Sequence, residues 1–544
     1  MSSCHVTCEL LSTGGLPSAA VFRQWPHQTT TSIIKPTMDH YNRPKIGTAS
    51  FLSCVANLSN TILGTGMLAM AHGFAQGGLI IGFTTVIICG SMAYLGLYLL
   101  SLCAAHPAIP QRTASFSSIS KLTYPQASTL FDLAIAIKCF GVSISYLLIF
   151  GKLMPQVILS FKSTSSLLLT DENTENTLWL LDRRLWITLS MLVLVPVSFL
   201  PTLDSLRHIS YVALIGVFNL IIVVIFKFCF SSDPLPSKSS GAEIHWIKLD
   251  PSFLTALPLF VFAYTCAQNI FSVHNEMVDN SPRQMKTVLL TCIGSAVGTY
   301  EIVGVLGYLT FGSKVSSNLI SDYESSIFIS ISRLTISILV LFSYPLQLFP
   351  CRSSLIKVLN HKHSQESSPE IHHAPLATTS QDLEREDVQD SVEVGDEDMH
   401  LGDEPISVKL YVGITAFLLL GSFLIAVNVE RLETVLGFVG STGSTTISYI
   451  LPGLFFRKLF PIGLPSSPDL TTNPQLDRYF DHQQTTEQEA TEGCPDILHE
   501  RQQVDDLIAP HQLVLLRKLS FALVVAGFVI MVVCFSLNIH DAFF

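Results

Sequence analysis

Two apolar stretches of the sequence contain groups that could bind a small charged molecule. The first is NTILGTGMLAM at 60–70, and the second is LPLFVFAYTCAQNIF at 257–271. Their candidate binding residues are Asn60, Thr61, Gly64, Thr65 and Gly66 in the first stretch and Tyr264, Thr265, Gln268 and Asn269 in the second. Amide and hydroxyl side chains, together with freed peptide groups, can hydrogen-bond the ammonium and the carboxylate of a zwitterion. The chemistry indicated is therefore binding rather than bond cleavage.

The predicted helix that contains the first stretch combines a polar face with a weak point. Asn57, Asn60, Thr61 and Gly64 follow one another at i, i+3, i+4 and i+7, which places them on one face. Glycines on both sides of Thr65 lower the cost of unwinding, since each is roughly 1 kcal/mol less favourable than alanine in a helix. The alternative is that these small residues allow two helices to pack closely. The first stretch alone leaves both interpretations open.

The composition predicts a chain that crosses a membrane many times. Of its 544 residues, 49% are hydrophobic and only 13% are charged, whereas soluble domains have roughly one quarter charged residues. We therefore expect an all-α polytopic membrane protein in contact with a lipid bilayer, with about eleven transmembrane helices of roughly 20 residues. The predicted spans lie near 49–71, 78–103, 130–151, 186–201, 209–230, 253–275, 287–311, 330–350, 407–427, 433–456 and 514–538.

The formal net charge of −11 originates in one polar segment. Between positions 361 and 405 the sequence has thirteen acidic and two basic residues, and a segment of this composition cannot bury a core. The predicted organisation is a cytosolic N-terminal tail at 1–47, transmembrane helices 1–8 at 48–350, an acidic disordered cytosolic loop at 351–406, transmembrane helices 9 and 10 at 407–456, a polar cytosolic loop at 457–512, and transmembrane helix 11 with a short lumenal tail at 513–544.

Basic residues near the span ends predict the orientation in the membrane. Lys and Arg are more frequent on the side that includes Arg43, Lys45 and Arg112 than on the other side, and such an excess marks the cytosolic face. We expect a cytosolic N-terminus and a lumenal C-terminus. Both long polar loops would then face the cytosol, where regulatory partners that the sequence does not identify could bind them.

Several function classes lack the residue patterns that they require. There is no Cys-x-x-Cys pair for a metal site, no phosphate-binding glycine loop and no plausible catalytic triad. No cluster of Lys and Arg indicates binding to nucleic acid. We therefore expect no enzymatic activity, no cofactor, no metal and no nucleic-acid partner.

The two candidate stretches occupy matching positions in a repeated arrangement. Spans one and six correspond if the first ten spans form two halves of five, and interrupted helices at matching places indicate a binding site at the bilayer midplane. There, free N–H groups at the start of a half-helix can hold a carboxylate. Free carbonyl groups at the end of the other half can hold an ammonium group or a cation.

Two charged residues lie inside predicted spans, where a charge costs at least about 2.5 kcal/mol. Glu301 is near the middle of the seventh span, and Lys138 is in the third. One interpretation makes Glu301 a proton carrier. The other makes Glu301 and Lys138 a structural ion pair within the membrane.

Three glycines recur at three-residue spacing in the tenth span. They are Gly437, Gly440 and Gly443, and hydroxyl-bearing residues lie close to them. Small residues at such spacing let helix backbones approach one another. We therefore predict that these glycines pack against neighbouring helices rather than contact a ligand.

Several stretches resemble the amino acid/auxin permease family, and within it the fungal vacuolar amino-acid transporters. They are NTILGTGMLAM at 60–70, KCFGVSISYLLIFGKLMP at 138–155, LFVFAYTCAQNIFSVHNEM at 259–277, GYLTFG at 307–312, FSYPLQLFPCR at 342–352 and GFVGSTGSTTISYILPG at 437–453. The resemblance implies the LeuT-type fold, a five-plus-five inverted repeat with broken helices 1 and 6, plus one extra helix. It also implies amino-acid movement across a vacuolar or lysosomal membrane, usually coupled to H+.

The resemblance also suggests ion-coupling residues and shows departures from the family pattern. In relatives that use Na+, a hydroxyl in the eighth span joins an Asn of the first span at the ion. Ser343 and Asn57 are the matching candidates here, although the Ser343 hydroxyl could equally bond its own helix carbonyl. Ala71, Lys152 and Ala267 replace the proline, aspartate and histidine that are common in the family.

Two functions remain open on the sequence alone. The first is a secondary active transporter that carries amino acids between spans one, six and eight by alternating access. The second is an amino-acid sensor that uses the same pocket to signal through its cytosolic loops. Flux of labelled amino acids distinguishes the two, because a sensor binds its ligand without moving it across the membrane.

Overall fold

A helix occupies each of the predicted spans in the computed structural model, which describes residues 47–166, 179–199, 209–230, 242–366, 398–400, 405–461 and 507–543. In chain order the elements are α1 (Phe51–Ile62), α2 (Thr65–Gly77), α3 (Leu79–Ala104), α4 (Phe116–Thr123), α5 (Ser128–Ser166), α6 (Arg183–Ser198), α7 (Ile209–Phe230), α8 (Ser252–Ala263), α9 (Ile270–Glu276), α10 (Pro282–Phe311), α11 (Leu319–Asp322), α12 (Ile327–Glu366), β1 (Asp398–His400), β2 (Pro405–Ser407), α13 (Val408–Asn428), α14 (Leu432–Val439), α15 (Leu451–Leu459) and α16 (Pro510–Phe543). The two short strands pair antiparallel.

The lengths of these helices are consistent with a membrane protein. By length and apolar composition, seven spans among the described residues could cross a bilayer, and α1 with α2 would form an eighth. Large apolar side chains such as Phe521, Phe528 and Val532 of α16 are exposed. An extended apolar surface of this kind is what contact with lipid requires.

The first and sixth spans are both interrupted, as predicted. Leu63 and Gly64 separate α1 from α2, and the two helices meet at a bend of 49°. In the sixth span, α8 ends at Ala263, and an irregular segment followed by a 3₁₀ turn at Ala267–Asn269 leads into α9.

The four half-helices associate across the two spans. On the side of the N-terminus, Ala49, two residues before α1, pairs with the end of α9. The Ala49 N–H donates to the Glu276 carbonyl at 2.8 Å, and the Val278 N–H donates to the Ala49 carbonyl at 3.0 Å. These two bonds form a parallel β-bridge, the Ala49–Met277 bridge. We call α1 and α9 the first half-helix pair. The helices α2 and α8 form the second half-helix pair, and at Gly66 they are so close that a Cβ atom would lie 2.8 Å from the Ala263 Cα.

The tenth span is a helix with a π-helical middle. Two π-helical segments, Gly440–Ser444 and Thr446–Ile450, connect α14 to α15. Its three glycines face three different neighbours, namely Asn538 of α16, the Pro258 backbone of α8, and α5 at Ala134 and Lys138. The prediction that they serve close packing is confirmed.

The structure extends the eighth span beyond its predicted end near 350. The helix α12 continues to Glu366, and the β1–β2 pair also lies within the segment predicted as an acidic loop. The rest of that loop, most of the polar loop at 457–512 and nearly all of the tail at 1–47 lie outside the described residues.

Candidate functional site

A cavity opens beside the break in the first span. It has about 410 Å³ of atom-free space, part of which is open to the outside, and it lies between the first span, α5, α7 and α12. Its polar lining comes from Asn60, Gly64, Thr65, Tyr146 and Ser343, and the remaining lining is largely apolar. An apolar cavity with a few converging polar groups is the usual form of a small-molecule site.

A side-chain hydrogen bond joins the two broken spans next to this cavity. The Asn269 Nδ2 donates to the Thr61 Oγ1 at 2.8 Å, and the Thr61 hydroxyl donates to the Asn57 carbonyl at 3.0 Å. Two of the predicted binding residues therefore bind each other in this structure. Asn57, a candidate for ion coupling, contributes its backbone carbonyl to this link.

Several polar atoms near the breaks are buried without a hydrogen-bond partner. They are the Thr65 hydroxyl, the Tyr264 hydroxyl, both amide atoms of Gln268 and both carboxylate oxygens of Glu301. Buried polar groups without a partner are rare, and each of them calls for an explanation. Unpartnered polar atoms also occur elsewhere among the described residues, for example at Asn318 and Arg352. Of those near the breaks, the Thr65 hydroxyl lies in the cavity wall, where a ligand can complete its hydrogen bonds.

Other predicted binding residues have structural contacts. The Thr265 hydroxyl donates to the Val261 carbonyl of its own helix at 3.1 Å. Gly66 packs against Ala263, as described above. The Tyr264 ring meets the Tyr300 ring edge-on, with 5.1 Å between centroids. These residues shape the break, whereas Asn60, Gly64, Thr65 and Ser343 line the cavity itself.

The predicted ion pair between Lys138 and Glu301 does not form, so this prediction is wrong. The fully buried Lys138 ammonium donates to the Gln347 Oε1 at 3.4 Å, while Glu301 makes no hydrogen bond. The physical reason is helix packing, because α5 packs along α12, whereas α10 packs against α1, α2, α3 and α7.

Sequence reasoning missed two residues near the site. Tyr146 lies in a largely apolar helix. Its hydroxyl lies 3.9 Å from the position that a Cβ atom would take at Gly64. In the sequence, Arg112 is one of several basic residues near the span ends, with no sign of its partners. Its guanidinium donates to the carbonyls of Asn275, Met277 and Val278 at 2.8, 2.6 and 3.0 Å.

Arg112 and the Ala49–Met277 bridge both bond the end of the sixth span on the N-terminal side. The Arg112 backbone has a φ of 61°, which costs energy for a residue other than glycine. The hydrogen bonds to the end of the sixth span offset that cost. These bonds connect the first half-helix pair with the segment between α3 and α4.

The profile of the transmembrane amino acid transporter proteins matches residues 47–479 of the chain. The chain belongs to the transmembrane amino acid transporter family. It is similar to vacuolar amino acid transporter 5 of Schizosaccharomyces pombe, with 37% identity over 76% of this chain and 85% of that protein. It is also similar to vacuolar amino acid transporter 6 of Saccharomyces cerevisiae, with 37% identity over 78% of this chain and 93% of that protein.

Among solved structures, this transporter-family chain is similar to MhsT in complex with L-phenylalanine. The TM-score is 0.51 at 12% sequence identity, and the match covers 90% of this chain and all of the other. At this identity the similarity concerns the fold, and it confirms the predicted LeuT-type arrangement. Membership of the family also confirms that the chain is a transporter-family protein rather than an enzyme.

Proposed function

We propose that this member of the transmembrane amino acid transporter family is a secondary active transporter that moves amino acids across a vacuolar membrane. Support for the substrate class and the membrane comes from the relatives, which are named as vacuolar amino acid transporters. The observation that carries the proposal is the cavity at the break of the first span, with the unpartnered Thr65 hydroxyl in its wall.

The substrate carboxylate binds at the start of α2. This helix begins at Thr65 without a side-chain cap, so its first N–H groups lack side-chain acceptors and favour an anion. The Thr65 hydroxyl lies in the cavity wall and is buried without a partner, so it can serve either end of a zwitterion. An apolar side chain of the substrate would contact Leu63, Met67 and the apolar face of α12.

In the proposed coupling to protons, Glu301 is the residue that carries the proton. Its two carboxylate oxygens are buried beside the second half-helix pair without a hydrogen-bond partner, and the side chain lies within electrostatic reach of Tyr264. A carboxyl group in this setting can gain and lose a proton as the two half-helix pairs move. The ion candidates Asn57 and Ser343 form the competing arrangement for Na+.

The orientation is part of the same proposal. We assign the N-terminus to the cytosol and the C-terminus to the lumen, on the distribution of Lys and Arg at the span ends. The side on which Arg112 and the Ala49–Met277 bridge bond the end of the sixth span is then the cytosolic side.

Flux measurements in proteoliposomes test the proposal. Purified protein is reconstituted, and uptake of each common amino acid, individually labelled, is measured with and without a pH gradient that is acidic inside the vesicles. We expect saturable flux of at least one amino acid, with a dependence on the gradient that Glu301→Gln removes while binding is retained. If Na+ rather than H+ drives the flux, the flux should depend on a Na+ gradient, and Ser343→Ala should abolish the dependence on Na+.

Two outcomes would contradict the proposal. Binding of amino acids without any flux would indicate a sensor instead of a transporter. Flux that Thr65→Val leaves unchanged in both KM and maximal rate would place the site away from the cavity. Thr446→Val is the matched control, because its hydroxyl bonds its own helix carbonyl at Thr442 and lies outside the cavity lining.

A further inference from the structure

The hydroxyl of Tyr300 lies where two of the half-helices end. Tyr300 belongs to α10 and is fully buried. Its hydroxyl is 2.6 Å from the Ile62 carbonyl oxygen and 2.7 Å from the Ala263 carbonyl oxygen, and it donates to them. Ile62 and Ala263 are the last residues of α1 and α8. Carbonyl groups at helix C-termini lack partners within the helix. The Ile62 carbonyl also accepts from the Gly64 N–H at 2.8 Å, so Tyr300 supplies a second donor at the first break and a donor to the Ala263 carbonyl at the second.

The two carbonyl groups belong to different half-helix pairs. Ile62 ends α1, which is bonded to α9 through the Ala49–Met277 bridge and through the hydrogen bond from Asn269 to the first span. Ala263 ends α8, which is in backbone contact with α2 at Gly66. Tyr300 therefore lies on the boundary between the first and the second half-helix pair.

A hydroxyl group has one hydrogen, so it cannot make two full donations at once. In the present structure the two carbonyl oxygens share that hydrogen at short distances. If the two half-helix pairs separate, the hydroxyl keeps one carbonyl as its acceptor and releases the other. The exchange requires no charge to move and little rearrangement of α10.

We propose that Tyr300 is a positioning residue at which the two half-helix pairs are coupled. Its hydroxyl holds the ends of α1 and α8 together in the present structure, and it donates to only one of them when the two half-helix pairs separate. The inference deepens the proposed transport function and rests on it, because the movement that it controls is the one that exposes the cavity to alternate sides.

The role assigned to the hydroxyl is separable from the packing of the ring. The Tyr300 ring packs edge-on against Tyr264, and phenylalanine would preserve that contact. The same helix offers a matched control, since the buried Tyr308 hydroxyl accepts from the His245 N–H at 2.8 Å. That bond lies at the end of α10 away from both breaks.

A native cysteine can report the separation of the two half-helix pairs without any added substrate. Cys54 lies in α1 and is 2% exposed. On α10, the Cys292 Sγ donates to the Val55 carbonyl next to it at 3.5 Å, so movement of α1 away from α10 would uncover Cys54. Cys103 of α3 is 0% exposed and belongs to neither half-helix pair. It serves as an internal measure of general unfolding.

The first experiment measures alkylation of Cys54 and Cys103 by N-ethylmaleimide in the full-length protein in lipid nanodiscs, by peptide mass spectrometry. We expect Tyr300→Phe to accelerate the labelling of Cys54 about tenfold, the effect of losing roughly one buried hydrogen bond. Labelling of Cys103 should stay within about twofold, and Tyr308→Phe should change neither rate by more than that. Unchanged labelling of Cys54, or equal acceleration at both cysteines, overturns the proposal.

The second experiment measures transport of the labelled amino acid with the highest flux in the screen above. Tyr300→Phe should lower the maximal rate about tenfold and change KM by less than threefold, since the residue acts on movement rather than on substrate contact. A rise in KM at constant maximal rate would assign Tyr300 to binding and overturn its role in coupling. Accelerated labelling of Cys54 in a protein without any flux would leave the coupling in place and refute the transport function instead.

Discussion

The hydrogen bond between Asn269 and Thr61 allows a quantitative test of how the two broken spans are joined. Thr61→Val keeps the shape of the side chain and removes the acceptor that lies 2.8 Å from the Asn269 Nδ2. An amide left without its partner costs about 1–3 kcal/mol when buried. This pair is only partly buried, so water in the cavity would recover part of the loss, and we expect a cost of about 1–2 kcal/mol.

The double variant separates the pair from its surroundings. Asn269→Leu removes the donor, while the Thr61 hydroxyl keeps its bond to the Asn57 carbonyl at 3.0 Å. Combining both changes should therefore cost about 1 kcal/mol less than the sum of the single costs, which is the coupling expected of one hydrogen bond. The unfolding free energies can be measured by titrating the micelle-solubilised protein with SDS.

The same cycle determines whether these two residues contact the substrate. If an amino acid replaces their mutual bond, a saturating concentration of the amino acid identified in the flux screen should reduce the coupling toward zero. If they only join the spans, the coupling should persist. The reasoning is refuted if, without substrate, the cost of the double variant equals the sum of the two single costs to within about 0.3 kcal/mol. The 2.8 Å contact would then contribute nothing to stability.

Three further predictions concern residues outside the cavity. Arg112→Gly should destabilise the fold by about 1–3 kcal/mol in the SDS titration, because the three carbonyl bonds lost outweigh the relief of the positive φ, and Arg112→Lys should recover less than half of that loss. Burial lowers the pKa of His106 to about 4, and its Nδ1 accepts from the Ala108 N–H at 3.2 Å, so the folded imidazole stays neutral. Because the unfolded residue binds a proton below about pH 6.5, stability should fall between about pH 6.5 and 4 by up to about 3 kcal/mol, and His106→Gln should flatten that part of the profile. Gly141→Ala should cost about 1–3 kcal/mol, since the new Cβ would overlap the Val439 side chain, and adding Val439→Ala should restore most of it; failure of that rescue would mean that the two helices do not pack as described.

The positions of the spans and of both breaks could be predicted because they depend on local composition. A run of apolar residues fixes where a helix can cross, and the glycines around Thr65 weaken one such helix wherever it lies in the bundle. The second break carries no glycine, and its prediction depended on polar residues at the matching place in the repeat. The all-α membrane class followed from the apolar runs, whereas the LeuT-type arrangement was implied by the family resemblance.

The partners of the buried polar groups could not be predicted, because they depend on how helices turn toward one another. Lys138 and Glu301 have suitable charges for an ion pair, yet their helices pack against different neighbours. Lys138 instead meets Gln347, a residue whose sequence context gives no sign of a cation nearby. Arg112 and Tyr300 bind backbone carbonyls, which every residue possesses, so no pairing of residue types could reveal them. The assignment of substrate contacts stays a prediction.

The shortness of the two interruptions limits what must change when the protein works. The backbone already departs from helical hydrogen bonding at Gly64 in one span, where the N–H donates to the Ile62 carbonyl. In the other span it departs in the segment from Tyr264 to Cys266. Torsional adjustment confined there would reorient each half as a rigid rod, and no helical hydrogen bond would need to break on the way. The barrier to such a change would then be set by the few contacts that hold the rods to each other, and single substitutions at those contacts would alter turnover without unfolding the bundle.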